Sequence, residues 1–325
     1  MKKIAVIGAG QIGSRHLQAL GKIDIPISIE VVNPNTGALL MAEKRFGEVP
    51  INKNISSINF FKDLGKLSSE IDLCIIATKA DVRADVIREV TARKIIRNLI
   101  LEKVLFQNIK DFDLISELLK SANINAWVNC PRRTYPIYKW IKGFFPPGEK
   151  ISICVEAQDM GLCCNSIHFI DLLSFITELT NIEIDITGIE KTVFESKRTG
   201  FIEFYGILQG FQSNGSNIIV TSQNKMPSLI KIMIFGERIN VFINETEGTA
   251  EISKKEDNWK WEKIQFKEPL QSELTQLVAK DILENGKCSL TDFDDSCLLH
   301  KPLLSSFTTH LELIKGERVD YCPIT

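Results

Sequence analysis

The chain has 325 residues, 44% hydrophobic and 25% charged, a length that accommodates two domains and a composition typical of ordinary globular proteins. Its net charge of −2 provides no overall field that would favour nucleic acid or an acidic lipid surface. No apolar run spans a bilayer, no signal-peptide pattern precedes the first strand, and the eight cysteines show no CxxC spacing, so a reduced, cytoplasmic protein is expected.

In chain order, the first element is a short apolar strand, Ile4 to Ile7, which runs directly into Gly8-Ala9-Gly10-Gln11-Ile12-Gly13. This is the glycine fingerprint of a dinucleotide-binding βα turn. Gly8 permits the tight turn, Gly10 lets the backbone approach a pyrophosphate, and Gly13 lets the following helix pack closely on the strand. The helix start, with Ile12, Leu17 and Leu20 on its apolar face, offers free N–H groups to the phosphates. A second strand, Ile27 to Val32, follows. About 20 residues after Gly13, where many NAD-binding proteins carry an acid for the ribose hydroxyl, stands Asn33. With no acid to repel a 2′-phosphate, dual use or an NADP preference is expected over strict NAD dependence.

Asp72 to Thr78 reads as a buried parallel strand that places Ala77 and Thr78 at its polar end, and Asp81 to Lys94 as a helix. Next come a strand at Asn98–Leu101 leading into Glu102-Lys103, a helix with Phe112, Ile115, Leu118 and Leu119 on one face, and a strand from Ile124 to Asn129. This alternation predicts a doubly wound parallel sheet over residues 1–129, with ligands at the carboxyl ends of its strands. Pro146-Pro147-Gly148 breaks the pattern, and a helix from about Asn165 to Leu179 follows. Residues 188–266 are mostly strands, which predicts a large, mostly antiparallel open sheet in an α+β domain covering 130–325. Leu270, Leu274, Leu277, Val278 and Ile282 mark a further helix, and Thr291 with Asp294 the start of the last one.

With these elements in order, the chain resembles the Gfo/Idh/MocA oxidoreductases over essentially its whole length. GAGQIGSRH at 8–16 resembles the family's opening GxGxxGxxH, and IIATKADVRADVI at 75–87 the segment under the nicotinamide half of the cofactor. LEKV at 101–104 matches the EKP strand end with Val104 for proline. NCPRR at 129–133 is similar to the arginine-bearing strand end, and SIHFIDLL at 166–173 to the G-x-H-x-x-D helix with Ser166 for glycine. The resemblance implies a Rossmann domain holding NAD or NADP through Gly8, Gly10, Gln11, Ile12, Gly13, Asn33, Ala77, Thr78, Glu102 and Lys103. It also implies a substrate lysine at Lys103 and a proton-handling histidine at His168. The aspartate that the family places four residues before that histidine is Cys164 here.

The residues themselves support part of this. Cys164, His168 and Asp171 are spaced i, i+4 and i+7 and share one helix face. A histidine with a pKa near ~6.5 suits the proton of a hydroxyl, and a lysine at a strand end stabilises alkoxide charge. The competing readings are a structural His168 capped by Asp171, and a solvated Glu102–Lys103 pair. Arg132, Asn165 and Asp171 are candidate substrate contacts; Arg132 and Arg133 could meet an anionic substrate or the cofactor, or be solvated. His16 reads as a packed or surface residue, and no trio of ligands suggests a metal site.

The expected function is an NAD(P)-dependent oxidoreductase of a sugar, sugar phosphate or nucleotide-sugar hydroxyl, its active site expected between the two domains. The alternatives are a dinucleotide-binding sensor or accessory protein without turnover, and a reductase of another substrate such as a linear tetrapyrrole. The resemblance also implies a homo-oligomer, dimer or tetramer, formed through the second sheet; the alternation Phe201, Glu203, Tyr205, Ile207 is compatible with a buried or half-buried face.

Overall fold

The computed structural model describes residues 1–325. In chain order the elements are β1 (Lys2–Ile7), α1 (Gln11–Leu20), β2 (Ile27–Val32), α2 (Thr36–Gly47), β3 (Ile55–Phe61), β4 (Glu70–Ile71), β5 (Leu73–Ile76), α3 (Ala80–Arg93), β6 (Ile95–Ile96), β7 (Asn98–Glu102), α4 (Ile109–Ser121) and β8 (Asn125–Asn129). They continue with α5 (Pro136–Lys142), β9 (Ser152–Gln158), α6 (Leu162–Thr177), β10 (Glu183–Ile189), β11 (Phe194–Glu195), β12 (Ile202–Glu203), β13 (Gly206–Phe211) and β14 (Asn217–Ser222). The last are β15 (Leu229–Phe235), β16 (Ile239–Asn244), β17 (Thr249–Lys254), β18 (Trp261–Gln265), α7 (Gln271–Asn285), β19 (Thr291–Asp292) and α8 (Phe293–Lys315).

The chain divides into two compact units. The first comprises residues 1–106, 110–131 and 269–294. Its sheet runs β19-β8-β7-β5-β1-β2-β3, parallel except for the β19 edge. From β1 the chain builds outward to β2 and β3, then returns to β5 on the other side. The strand order therefore reverses between β1 and β5, and in doubly wound sheets ligands sit at that switch. Ile4, Val6, Ile29, Val31, Leu73 and Ile75 are buried because both faces of the sheet are covered, so its strands are continuous apolar runs.

Residues 269–294, read from the sequence as part of the second domain, pack with the first unit. Val278, Ala279, Ile282 and Leu283 of α7 join the core formed by Leu17 and Leu20 of α1 and the central strands. Of the five residues that mark this helix in the sequence, Leu270 and Leu277 are 63% and 59% exposed, because the buried stripe of α7 runs through Leu274, Val278 and Ile282.

The second unit comprises residues 107–109, 132–268 and 295–325. Its eight-stranded sheet has the order β10-β13-β14-β9-β15-β16-β17-β18, antiparallel except for the β14–β9 pair. One face buries a cross-strand row, Val220, Val155, Ile232, Ile243 and Ala250, and the other leaves polar and apolar side chains half-exposed. The alternation read at 201–207 does not continue through that segment. Phe201, Glu203 and Tyr205 are buried and Ile207 is 40% exposed, because Gly206, at φ +116, breaks the extended chain before β13 begins.

Candidate functional site

The glycine turn has the geometry its spacing requires. Gly8 lies at φ +95, its N–H donating to the Val32 carbonyl at 2.9 Å, and an added Cβ would meet the Ala77 carbonyl carbon at 2.8 Å. At Gly13 a Cβ would stand 1.7 Å from the Gly8 oxygen, so α1 packs against the turn only because that Cβ is missing. Gly10, by contrast, has no atom within 4 Å of its Cβ position. Its backbone borders open space beside the N-terminus of α1, which has no side-chain cap and no acid in its first turn. Gln11 is exposed and Ile12 half-buried there.

At the end of β5, across the strand-order switch, the buried Thr78 hydroxyl has no hydrogen-bond partner in the protein. The open cradle at Gly10, the uncapped helix start and this orphaned hydroxyl fit a dinucleotide: N–H groups for the pyrophosphate and a polar atom for the nicotinamide half. Asn33 stands at the end of β2; its Oδ1 accepts the Asn35 N–H at 2.9 Å, while Asn35 caps α2. Arg45 of α2 donates to Gln11 Oε1 at 2.8 Å and to Ser14 Oγ at 2.6 Å, bracing the start of α1.

Glu102 and Lys103 follow directly from β7. Lys103 is half-buried, whereas Glu102 is 7% exposed and belongs to a buried polar network. Its Oε1 meets His16 Nε2 at 2.8 Å and accepts from the Asn129 amide at 2.6 Å. His16 Nδ1 meets Thr275 Oγ1 at 2.8 Å, and Gln271 closes the network onto Asn129 and Thr275. Burial alone would raise the Glu102 carboxyl, but the hydrogen bond and charge of His16, aided by the Asn129 amide, hold it below the usual carboxylate range. Glu102 therefore serves as a buried anchor behind Lys103. The sequence assigned His16 no role, because its partners lie 86 and 259 residues away. The fully buried Arg83 of α3 donates to the carbonyls of Thr78, Val104 and Leu105, the last at 2.9 Å, and so ties the end of β5 to the segment after Lys103.

In the second unit, α6 carries the other candidates. Cys164, Asn165 and His168 lie on its half-buried side, and most of the helix is buried. Asp171, expected to face His168 or a substrate, is fully buried and takes a two-pronged ion pair from Arg133, at 2.9 and 3.1 Å. Arg132, expected at a substrate, is 6% exposed and forms a bidentate pair with Glu245 at 2.9 and 2.8 Å, its guanidinium 4.4 Å from the Phe169 ring centroid. Tyr138 also donates to Glu245. The Asn165 amide is turned back onto the carbonyls of Met160 and Gly161.

The start of α6 is closed by a residue that the sequence placed only in the alternation at 201–207. Glu203, 5% exposed, accepts the N–H groups of Cys163, Cys164 and Phe204. Gly161, at φ +71, makes room for it, since a Cβ there would stand 2.1 Å from the Glu203 carboxyl carbon. Burial pushes this carboxyl up to about 7, against three N–H donors that favour its charge. Cys163 is buried and Cys164 half-buried, and neither is in a disulfide.

The switch point, the open glycine turn and the orphaned hydroxyl define a dinucleotide-binding oxidoreductase fold. Residues 2–130 match the Gfo/Idh/MocA family model, described as an oxidoreductase family with an NAD-binding Rossmann fold, so this part of the chain is an NAD-binding domain of that type. No curated protein matches the sequence. Among solved structures, the chain is similar to a UDP-N-acetylglucosamine 3-dehydrogenase from Acidithiobacillus ferrooxidans, with 13% identity, 97% of each chain covered and a TM-score of 0.67. It is also similar to KijD10, a 3-ketoreductase from Actinomadura kijaniata in complex with NADP, with 13% identity, 95% and 97% covered and a TM-score of 0.69. A super-repressor mutant of Gal80p from Saccharomyces cerevisiae shares the fold at 13% identity, with 98% and 97% covered and a TM-score of 0.71. At such identities these likenesses establish the fold alone. No helix of the chain is long and apolar enough to cross a membrane.

Proposed function

We propose that the chain interconverts a hydroxyl and a ketone on a sugar, sugar phosphate or nucleotide sugar, using NADP or both nicotinamide dinucleotides. The observation that carries this reading is the anchored strand end at Glu102-Lys103, in the same unit as the open glycine turn. A bound nicotinamide supplies hydride transfer to or from the substrate carbon. Lys103 polarises the substrate oxygen and stabilises its negative charge, while His168 exchanges the hydroxyl proton. Arg132, Asn165 and Asp171 act one step back in this scheme: their polar groups engage Glu245, the backbone at 160–161 and Arg133, and so they shape α6 and its surroundings. The dehydrogenase and ketoreductase among the similar structures support the substrate class.

The test is nicotinamide absorbance while sugars, sugar phosphates and nucleotide sugars are offered. Lys103→Ala and His168→Ala should each lower turnover on the responding substrate by about 100-fold or more while dinucleotide affinity stays within about twofold. Unchanged turnover in both variants would overturn the assignment.

A second reading is favoured by Cys164, which stands where the family's aspartate would be: a dinucleotide-dependent sensor without turnover. Tight NADP binding with no hydride transfer on any of the offered substrates would select it.

We also propose that copies of the chain associate through the half-exposed face of the second sheet. Ile219, Cys154, Met233 and Phe242 form one apolar cross-strand row there, and Phe235 nearby is 42% exposed. Met233→Lys should lower the oligomeric state in sedimentation if this face is the interface.

A further inference from the structure

The second unit holds a cavity of about 490 Å³ that the proposed reaction does not use. It is built where three segments meet. Helix α5 ends at Gly143, so Phe144 and Phe145 leave it together. Phe145 is buried so tightly against the β15–β16 turn that a Cβ on Gly236 would stand 2.5 Å from its ring. That close approach sets Arg238 beside Phe144, and the Lys255 N–H donates to the Arg238 carbonyl at 2.9 Å, tying the end of β17 to the same turn. The cavity is lined by Gly143, Phe144, Arg238, Ile239, Lys254, Lys255 and Glu256.

Its chemistry is lopsided. Three cations face one carboxylate, in a chain whose net charge is −2. Lys254 is locally committed, with its Nζ 5.3 Å from the Phe144 ring centroid and 3.9 Å from Asp257. The side chains of Arg238 and Lys255 have neither hydrogen-bond nor ion-pair partners in the protein. Beside them is an aromatic wall, the Phe144 ring, against which Trp140 packs edge-on with centroids 4.8 Å apart. An arginine fork and an ammonium at one opening suit a phosphate group, and two unpaired cations match a dianion better than a single carboxylate. The volume lies within the range of small-molecule sites, and the aromatic wall offers a surface for an organic body.

We propose that this cavity is a second ligand site, taking a phosphate-bearing organic molecule through Arg238 and Lys255, with the body of the ligand against Phe144. The site lies in a different unit from the glycine turn, and it does not depend on the proposed reaction.

The experiment is calorimetric titration at low salt of the full chain saturated with NADP, so that the dinucleotide turn is filled. AMP, adenosine and inorganic phosphate are the probes. AMP should bind once per chain, adenosine should not, and inorganic phosphate should displace AMP. In Arg238→Ala/Lys255→Ala the AMP affinity should fall by about tenfold or more, with NADP affinity and melting temperature unchanged. Absence of AMP binding, adenosine binding as tightly as AMP, or equal AMP affinity in the double variant would each overturn the proposal.

Discussion

Two of the buried glutamates, one from each unit, are handled in opposite ways. In the first unit Glu102 is met by His16 and Asn129, and its charge is held. In the second, Glu203 receives backbone N–H groups and the Cys163 thiol, all neutral donors, and burial pushes it up to about 7. The difference teaches what each carboxylate is for. Glu102, with a charged or chargeable partner, acts as a rigid post at the strand end that continues into Lys103. Glu203 closes the helix that carries His168 and is poised to change charge near neutral pH.

The largest effect is expected from breaking the first pair. His16→Leu leaves Glu102 buried without its partner, which typically costs about 3–5 kcal/mol. Chemical denaturation should show a lowered midpoint with an unchanged slope. A loss below about 1 kcal/mol would mean that Asn129 alone satisfies Glu102.

The second effect is a pH dependence. Glu203 shifts from an ordinary 4.5 to about 7 on folding, so between those values the folded chain keeps a proton that the unfolded chain has released. Its contribution to stability is therefore complete below about pH 4.5, falls as pH rises, and levels off above about 7. The total is on the order of 3 kcal/mol. Glu203→Gln, which imitates the protonated form, should flatten that slope in denaturation curves collected from pH 5 to 8. An identical slope in the variant would show that Glu203 stays charged throughout.

The smallest effect on stability sharpens the contrast between backbone and side-chain design. Gly10→Ala meets no atom of the protein, so its melting temperature should stay within about 2 °C of the parent. The added methyl occupies the cradle, however, and NADP affinity should fall by about tenfold or more in fluorescence titration. Unchanged affinity would show that the pyrophosphate does not approach Gly10.

Much of the first unit was legible in the sequence because its information is local. The turn at residues 8–13 needs three glycines at fixed spacing, and periodicity marks the strands and helices around it. The long second sheet was legible as a class, since strands in succession without helices leave few other arrangements.

The polar pairings were not legible. Arg132 with Glu245, Arg133 with Asp171, His16 with Glu102 and Cys163 with Glu203 are separated by 113, 38, 86 and 40 residues. Nothing in a linear pattern links such residues, because a buried charge is matched by whichever partner the packed chain brings within hydrogen-bonding distance. By itself, then, the sequence determined the dinucleotide turn, the parallel sheet and the position of Lys103 at a strand end, since short-range sterics and periodicity govern these. Only the tertiary structure decided that α7 completes the first core, that Arg132 and Asp171 are engaged in buried ion pairs, and that Glu203 closes the helix bearing His168. Those outcomes follow from burying polar groups over long sequence separations, where each must find a partner in space.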